Sequence, residues 1–308
     1  MPSATERPGH RPRTALALFL AIGVIWGMPY LFIRIAVEQV SPAVLVLART
    51  GLGAALLVPL AWRAGGFSAV RRHPVAVPAF ALIEIVGPWL LLSDAERHLT
   101  SSLTGLLVAT VPMVALLVAR VTGEESGIHP LRVLGLAIGA AGVGLLGTGD
   151  LHAGRGWAVA EVILAAVGYG VAPRIASRWL RDVPDLALTA TCLGLAAVVV
   201  APLAALTWPA QLPGASALWS MVVLAVGCTA VAFPMFFRLI HTIGSARATL
   251  VAYVNPVVAV ALGIAVLDEP LTARLLAGAA AVLAGTALAA RRWGRAQPTS
   301  PGAAVAEP

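Results

Sequence analysis

Long apolar runs alternate with short polar segments along the whole chain, and this pattern predicts ten membrane-spanning helices. A helix needs about 20 mostly apolar residues to cross the hydrocarbon core of a bilayer. Because the polar segments are short, little of the chain is left for a soluble domain. We therefore predict an all-α polytopic membrane protein in contact with the lipid bilayer. The predicted spans are 14–34, 42–62, 75–93, 100–121, 130–148, 156–174, 185–206, 216–237, 243–266 and 272–290.

Composition and the placement of arginine predict how these helices cross the membrane. Hydrophobic residues make up 59% of the chain and charged residues 11%, compared with roughly 25% charged residues in soluble domains. All 21 basic residues are arginine, and a cytoplasmic N-terminus puts sixteen of them on the cytoplasmic side. Cytoplasmic segments carry such an excess, so both chain ends are predicted to be cytoplasmic and the protein to lie in the cell (inner) membrane. The outer arginines are Arg34, Arg97, Arg155 and Arg274.

The net charge of +7 is thus explained by membrane topology. Binding of nucleic acid would need the arginines on one soluble face, and the pattern leaves no such face. Cys192 and Cys228 lie inside predicted spans, where we interpret them as small packing residues rather than a disulfide or metal framework. The polar ends, 1–13 and 292–308, are predicted to be disordered cytoplasmic tails.

The chain also contains an internal repeat, because residues 100–125 recur without a gap 144 positions later as 244–269. A proline in mid-helix and an acidic pair further on make the match specific. The repeat divides the chain into halves of five spans each, 14–148 and 154–291. An odd number of spans inserts the second half upside down, and inverted repeats are typical of transporters. Identical pairs are Ser101/Ser245, Leu106/Leu250, Pro112/Pro256, Val114/Val258, Ala115/Ala259 and Glu125/Glu269, and Glu124 corresponds to Asp268.

Several motifs lie where a known transporter family carries them. They are Trp26-Gly27-Met28-Pro29-Tyr30-Leu31-Phe32-Ile33-Arg34, Ser41-Pro42, Arg49, Gly244-Ser245-Ala246-Arg247-Ala248-Thr249-Leu250, Tyr253-Val254-Asn255-Pro256 and Asp268-Glu269-Pro270-Leu271-Thr272. With these motifs the chain resembles, over about 14–290, the EamA branch of the drug/metabolite transporter superfamily. The first-half counterpart of the last motif, Gly123-Glu124-Glu125-Ser126, departs from the family pattern. The resemblance implies an inner-membrane secondary carrier of small metabolites or drugs, often an exporter, and leaves the substrate open.

Two charged residues inside predicted spans are the sharpest candidates for a site. Glu84 lies at the middle of span 3, where a carboxylate costs about 2.5–3.5 kcal/mol on insertion scales and usually faces a cavity or a partner. It suits proton coupling or the binding of a substrate amine, although a packing role is the alternative. Arg49 lies seven residues into span 2, where it can bind a substrate carboxylate, pair with Glu84, or extend to the headgroups.

Span 9 contributes a polar group, Tyr253 and Asn255, beside a proline. Pro256 leaves the carbonyl of Ala252 without its helical partner, and Pro112 does the same at the equivalent place in span 4. Interrupted helices near the midplane are where carriers place binding sites and hinges, so we predict a gating role for both prolines. A tolerated kink is the alternative.

Trp26 and Tyr30 lie four residues apart in span 1, which puts them on one helical face that can line a cavity or serve packing. Tyr169 and Glu161 in span 6 are weaker candidates. The small-residue pair Gly135 and Gly139 allows close helix approach, and packing against span 10 is favoured over a contact within a homodimer.

The last loop carries the acidic pair Asp268 and Glu269. Acids and a threonine before a helix stabilise its N-terminus. We therefore predict that the pair, with Thr272, caps span 10 and has no catalytic role.

These features favour a transporter over other classes of membrane protein. An intramembrane enzyme would need a clustered nucleophile and base or a set of metal ligands, and a channel would need rings of like residues. We predict an alternating-access carrier, with Glu84 as the proton-coupling group, that moves a small polar metabolite, amino-acid-like compound or drug. We expect no cofactor, metal or enzymatic activity. A channel or a membrane scaffold is the alternative.

Overall fold

The computed structural model describes residues 10–123, 129–244 and 248–290. Within these ranges ten helices are long and apolar enough to cross a membrane, as predicted, and no residue forms a strand. The spans are Thr14–Ala36, Pro42–Ala64, Ala76–Ala95, Ser101–Val121, Pro130–Thr148, Gly156–Trp179, Asp185–Leu206, Ala215–Ile243, Leu250–Leu267 and Ala273–Ala290. A short helix, Phe67–Arg71, joins spans 2 and 3. The predicted tails and the motif residues Glu124, Glu125, Ser126, Ser245, Ala246 and Arg247 lie outside the described residues.

Spans 6 and 8 are longer than predicted because the backbone stays helical after the apolar run has ended. Span 6 continues to Trp179 and span 8 to Ile243. The added turns carry Arg178 and His241, polar side chains that a helix tolerates once it has left the hydrocarbon layer. Hydropathy therefore located the apolar part of these helices rather than their ends.

Departures from α-helical geometry occur at equivalent places in the two halves. Spans 4 and 9 are interrupted just before Pro112 and Pro256, which are 144 positions apart. Spans 3 and 8 each contain a wider, π-helical turn, at Leu82–Val86 and Val223–Val231. Because these interruptions share the sequence offset of the repeat, they are inherited features of one duplicated unit.

The helices of one half pack on their counterparts in the other. Span 2 packs on span 7, span 4 on span 9 and span 5 on span 10. Span 1 packs on span 8 and span 3 on span 6, and exchanging the two halves converts one of these contacts into the other. This arrangement is the one expected of two inverted five-helix repeats, so the predicted fold class is confirmed.

Spans 5 and 10 approach closely along glycines, in agreement with the favoured interpretation of Gly135 and Gly139. A Cβ built on Gly135 would lie 2.7 Å from the carbonyl oxygen of Gly285. A Cβ built on Gly285 would lie 2.6 Å from the Gly135 oxygen and 2.7 Å from the Gly139 Cα. The backbones therefore occupy the space that side chains would need.

We expect Gly285→Ala to destabilise the protein by about 1–3 kcal/mol, the usual cost of overpacking. The added methyl group must push spans 5 and 10 apart because it meets backbone, which cannot rotate away. Thermal unfolding of the purified protein in detergent measures the loss. Gly144→Ala is the matched control, since a Cβ there meets nothing within 4 Å, and equal stability of the two variants would contradict the packing argument.

Candidate functional site

Arg49 is held near the centre of the bundle by residues from two other helices. Its side chain is only 8% exposed. The guanidinium lies 3.6 Å from the centroid of the Trp89 ring in span 3, a cation–π contact, and its Nε donates to Thr229 Oγ1 in span 8 at 3.1 Å. Three spans thus fix one buried cation.

The π-helical turn of span 8 creates the acceptor for Arg49. Thr229 donates its own hydroxyl proton to the carbonyl of Leu224, five residues earlier, at 2.8 Å. The wider turn offers that carbonyl, and the hydroxyl is then oriented with a lone pair toward the Arg49 Nε. π-turns occur often at functional sites, and here the turn positions the hydroxyl of Thr229.

The terminal nitrogens of Arg49 are the free donors of this centre. No hydrogen bond or ion pair within the described ranges engages them, and the pairing with Glu84, one of the alternatives for Arg49, is not formed in this conformation. The ionisable groups that act electrostatically on the guanidinium are Cys228, Tyr169 and Tyr30. A buried guanidinium with unused donors is suited to a planar anionic group such as a carboxylate.

Glu84 lies on the π-helical turn of span 3, facing spans 6 and 7. Its Oε2 is buried and has no hydrogen-bond partner among the described residues. Tyr169 in span 6 and Cys192 in span 7 are its electrostatic neighbours. Span 6 approaches this turn at Gly168, where a Cβ would lie 2.5 Å from the carbonyl oxygen of Ile83.

The two predicted aromatic residues of span 1 have different surroundings. The helix assignment of this span breaks at Met28, between the two residues. Tyr30 is buried beside the central cation, with its ring against Gly105 of span 4. Trp26 packs on Phe233 and Phe236 of span 8 at centroid distances of 5.8 and 4.6 Å. Tyr30 therefore lies with Arg49, Trp89 and Thr229, which together form the central group. Trp26 belongs to an aromatic contact between spans 1 and 8.

The polar residues of span 9 make contacts between helices. In the amide orientation that satisfies both of its groups, Asn255 donates to the carbonyls of Gly23 at 3.1 Å and Val251 at 3.0 Å. Tyr253 donates to the Thr286 carbonyl in span 10 at 3.4 Å. In this conformation Asn255 thus joins spans 9 and 1, and Tyr253 joins spans 9 and 10.

The interruption of span 4 before Pro112 exposes a backbone carbonyl that span 10 satisfies. The helix stops at Val108 and resumes at Val111. Thr286 donates its hydroxyl to the freed carbonyl of Ala109 at 3.1 Å. Span 9 is tightened before Pro256 in a similar way, with a 3-10 turn at Thr249–Tyr253. Both prolines therefore follow a break in α-helical geometry.

Two residues of the central group, Trp89 and Thr229, were not predicted from the sequence. Trp89 is a mid-span tryptophan that is 6% exposed, whereas most tryptophans of the chain lie near span ends. Its position inside a span could have identified Trp89 as a candidate. Thr229 could not have been identified, because a single threonine in an apolar span has no distinguishing pattern.

The predicted capping role of Glu269 is wrong. Its carboxylate accepts from the backbone N–H of Ser101 at 2.7 Å, from the Ser101 hydroxyl at 2.9 Å and from the N–H of Ser102 at 3.0 Å. It therefore caps span 4 in the other half, while Thr272 caps span 10 by accepting from the Leu275 N–H at 3.1 Å. The inverted packing brings the end of span 9 beside the start of span 4, a proximity that local sequence does not reveal.

Ten spans in two inverted halves around a buried polar centre form the architecture of a membrane transporter. The EamA-like transporter family matches residues 13–148 and again 156–291. The uncharacterized inner membrane transporter YedA of Escherichia coli K12 is 30% identical over 267 residues, covering 85% of this chain and 87% of that protein. The uncharacterized transporter YoaV of Bacillus subtilis is 21% identical, covering 86% and 93%.

A solved crystal structure shares the fold, with a TM-score of 0.64 and 21% identity over 90% of this chain and 97% of that one. The family matches together span nearly all of the membrane-spanning part. The chain therefore belongs to the EamA-like transporter family and is a membrane transporter.

Proposed function

We propose that the protein is a secondary active transporter that exports a small polar solute carrying an anionic group, by alternating access. Arg49 is the observation that carries this proposal. Its buried guanidinium is held by the Trp89 ring and by the Nε bond to Thr229, and its terminal nitrogens have no partner among the described residues. Such a group is costly inside a membrane unless it serves a partner that arrives. A metabolite carboxylate is the simplest such partner, and amino-acid-like compounds and anionic drugs share that chemistry.

The interrupted helices supply the proposed movement. Spans 4 and 9 cross at Gly105, where a Cβ would lie 2.6 Å from the Cβ of Ala259. Both spans are interrupted just before their prolines. We propose that the halves rock about Pro112 and Pro256, so that the centre opens to one side at a time. Packed interfaces favour such alternation between two arrangements over gradual deformation.

The sixteen-to-four division of arginines supports an orientation with both chain ends cytoplasmic. In that orientation the end of the bundle that carries Arg34, Arg155 and Arg274, called the Arg34 end below, faces outward. The opposite end, which carries Arg63 and Arg120, faces the cytoplasm.

Counterflow in proteoliposomes tests the proposal directly. Vesicles containing the protein are loaded with unlabelled candidate solutes and challenged with the labelled form. Carboxylate-bearing metabolites should accelerate exchange, while their neutral amides should not. Candidates come from comparing the metabolites released by cells with and without the protein. If no anionic solute exchanges faster than in empty vesicles, the proposal fails.

We expect Glu84→Gln to remove proton coupling and to preserve exchange. One coupled proton supports about tenfold accumulation for each unit of pH difference, because one unit is worth about 1.36 kcal/mol. Glutamine cannot exchange that proton, so accumulation driven by a pH gradient should fall to the level of simple equilibration. Uptake and counterflow of the same solute, measured in the same vesicles, separate the two effects.

Glu38→Gln is the control, because Glu38 is exposed at the Arg34 end. It should keep the accumulation of the wild type. Full gradient-driven uptake by Glu84→Gln would refute the coupling role of Glu84 and would leave the proposed binding role of Arg49 standing.

A further inference from the structure

Glu96 is a buried carboxyl group that the proposed transport centre does not use. It follows span 3 at the Arg34 end and is 0% exposed. Neither Oε1 nor Oε2 has a hydrogen-bond partner among the described residues. An ionised carboxylate in such a place would lack both water and a counter-charge, which is among the costliest arrangements in a folded protein.

The groups around Glu96 do not supply the missing charge. Arg34 of span 1 donates to the backbone carbonyl of Glu96 at 2.9 Å, and its second terminal nitrogen lies 3.7 Å from Glu38. Glu269, from the loop before span 10, faces Glu96 with a like charge. Tyr30 of span 1 is the remaining ionisable neighbour. The guanidinium of Arg34 is thus turned toward the main chain rather than the carboxyl group.

Glu269, in contrast to Glu96, has hydrogen-bond partners. Its two oxygens accept from the N–H groups of Ser101 and Ser102 and from the Ser101 hydroxyl. Glu96 is therefore the carboxyl group of this acidic pair that lacks partners among the described residues.

A pocket lies beside this pair. It has a volume of about 320 Å³ and is lined by Arg34, His98, Ser102, Arg155, Glu269 and Arg274, among others. Glu96 does not line the pocket, but Arg34 and Glu269 line it and also interact with Glu96. These two residues therefore border both Glu96 and the pocket.

We propose that Glu96 is a proton-binding site at the Arg34 end of the protein, which holds its proton in this conformation and exchanges it through the pocket beside Glu269. Loss of the proton would place a bare carboxylate next to Arg34. The guanidinium would then turn from the main-chain carbonyl and Glu38 toward that carboxylate. This movement changes the tie between span 1 and the loop that joins spans 3 and 4.

The electrostatics of the site agree with this geometry. Burial raises the pKa of Glu96 well above its ordinary value, Glu269 raises it further, and Arg34 opposes both. A carboxyl group whose pKa is higher in the folded than in the unfolded protein binds its proton more tightly in the fold. Its contribution to stability is therefore fully present below the unfolded pKa and is lost as the pH rises through the folded pKa.

Infrared difference spectroscopy of the protein in lipid nanodiscs tests the site without a substrate. Spectra are recorded while the pH is raised, in a Glu84→Gln background that removes the midplane carboxyl. We expect a protonated-carboxyl C=O band at neutral pH, sensitive to deuterium oxide, that disappears on alkalinisation. Glu96→Gln should abolish the band, and Asp182→Asn, which removes an exposed carboxylate far from the site, should keep it. If Glu96→Gln lost only ionised-carboxylate bands and kept the C=O band, the proposal would be overturned.

Arg34→Gln decides the matter should Glu96→Gln fail to fold. It removes the cation that lowers the pKa of Glu96, so the band should titrate at a higher pH. An unchanged midpoint would overturn the proposal. These spectra test the proton-binding site alone. Any effect of the Arg34 movement on transport also rests on the proposed transport function, which counterflow tests separately.

Discussion

Arg49→Gln is expected to abolish exchange of the anionic solute while the protein still folds. A hydrogen bond to a charged partner contributes about 1.5–3 kcal/mol, and each 1.4 kcal/mol is tenfold in affinity. Loss of the guanidinium should therefore weaken binding by roughly 10- to 150-fold. Glutamine keeps a donor for Thr229 and fills part of the space over Trp89, which limits the damage to the fold. Counterflow at fixed solute concentration, together with thermal unfolding with and without the solute, measures both effects.

Arg49→Lys separates charge from shape. Lysine retains the positive charge but lacks the flat guanidinium that lies 3.6 Å from the Trp89 ring centroid and the Nε that donates to Thr229. Arg and Lys are not interchangeable where planar, stacked binding is used, so only partial exchange is expected. Arg63→Gln, at the exposed end of span 2, is the control and should behave as the wild type. Wild-type exchange by Arg49→Gln would rule out Arg49 as the anion-binding group.

The fold could be predicted because the bilayer imposes one dominant constraint on the sequence. Every span must be apolar over about 20 residues, so ten runs gave ten helices. The repeat of Pro112 at Pro256 then indicated two duplicated halves, and the odd number of five spans in each half gave their inverted relation. Helix ends were less predictable, since span 6 reaches Trp179 by continuing its hydrogen bonds beyond the apolar run.

The candidate site was predictable only where a residue is anomalous by itself. Arg49 and Glu84 stand out because charge is rare inside a span. Their partners do not, because the Arg49–Thr229 bond joins residues 180 positions apart. The same limit produced the error at Glu269, which precedes span 10 along the chain but whose hydrogen-bond partners lie 167 and 168 positions away.

Glu269→Ala is expected to be the most destabilising single substitution considered for this protein. Its carboxylate accepts three hydrogen bonds at the start of span 4, where the helix macrodipole also favours negative charge. Each buried donor left without an acceptor costs about 1–3 kcal/mol, so we expect a total of roughly 3–5 kcal/mol. Loss of the cap also frees span 4 from the loop before span 10, a tie between the two halves. Chemical or thermal unfolding in detergent measures the change.

Gly263→Ala should reproduce part of this loss without touching the carboxylate. A Cβ at position 263 would lie 2.8 Å from the Ser101 hydroxyl oxygen and closer still to a Glu269 oxygen and the Ser102 hydroxyl, so the cap must shift. Asp268→Asn is the control, because Asp268 has a left-handed backbone with φ of 52° that asparagine adopts readily. Thr272→Ala, which removes the local cap of span 10, should cost only about 1 kcal/mol. A larger loss at Thr272 than at Glu269 would mean that the local cap, rather than the contact between the halves, stabilises this end of the bundle.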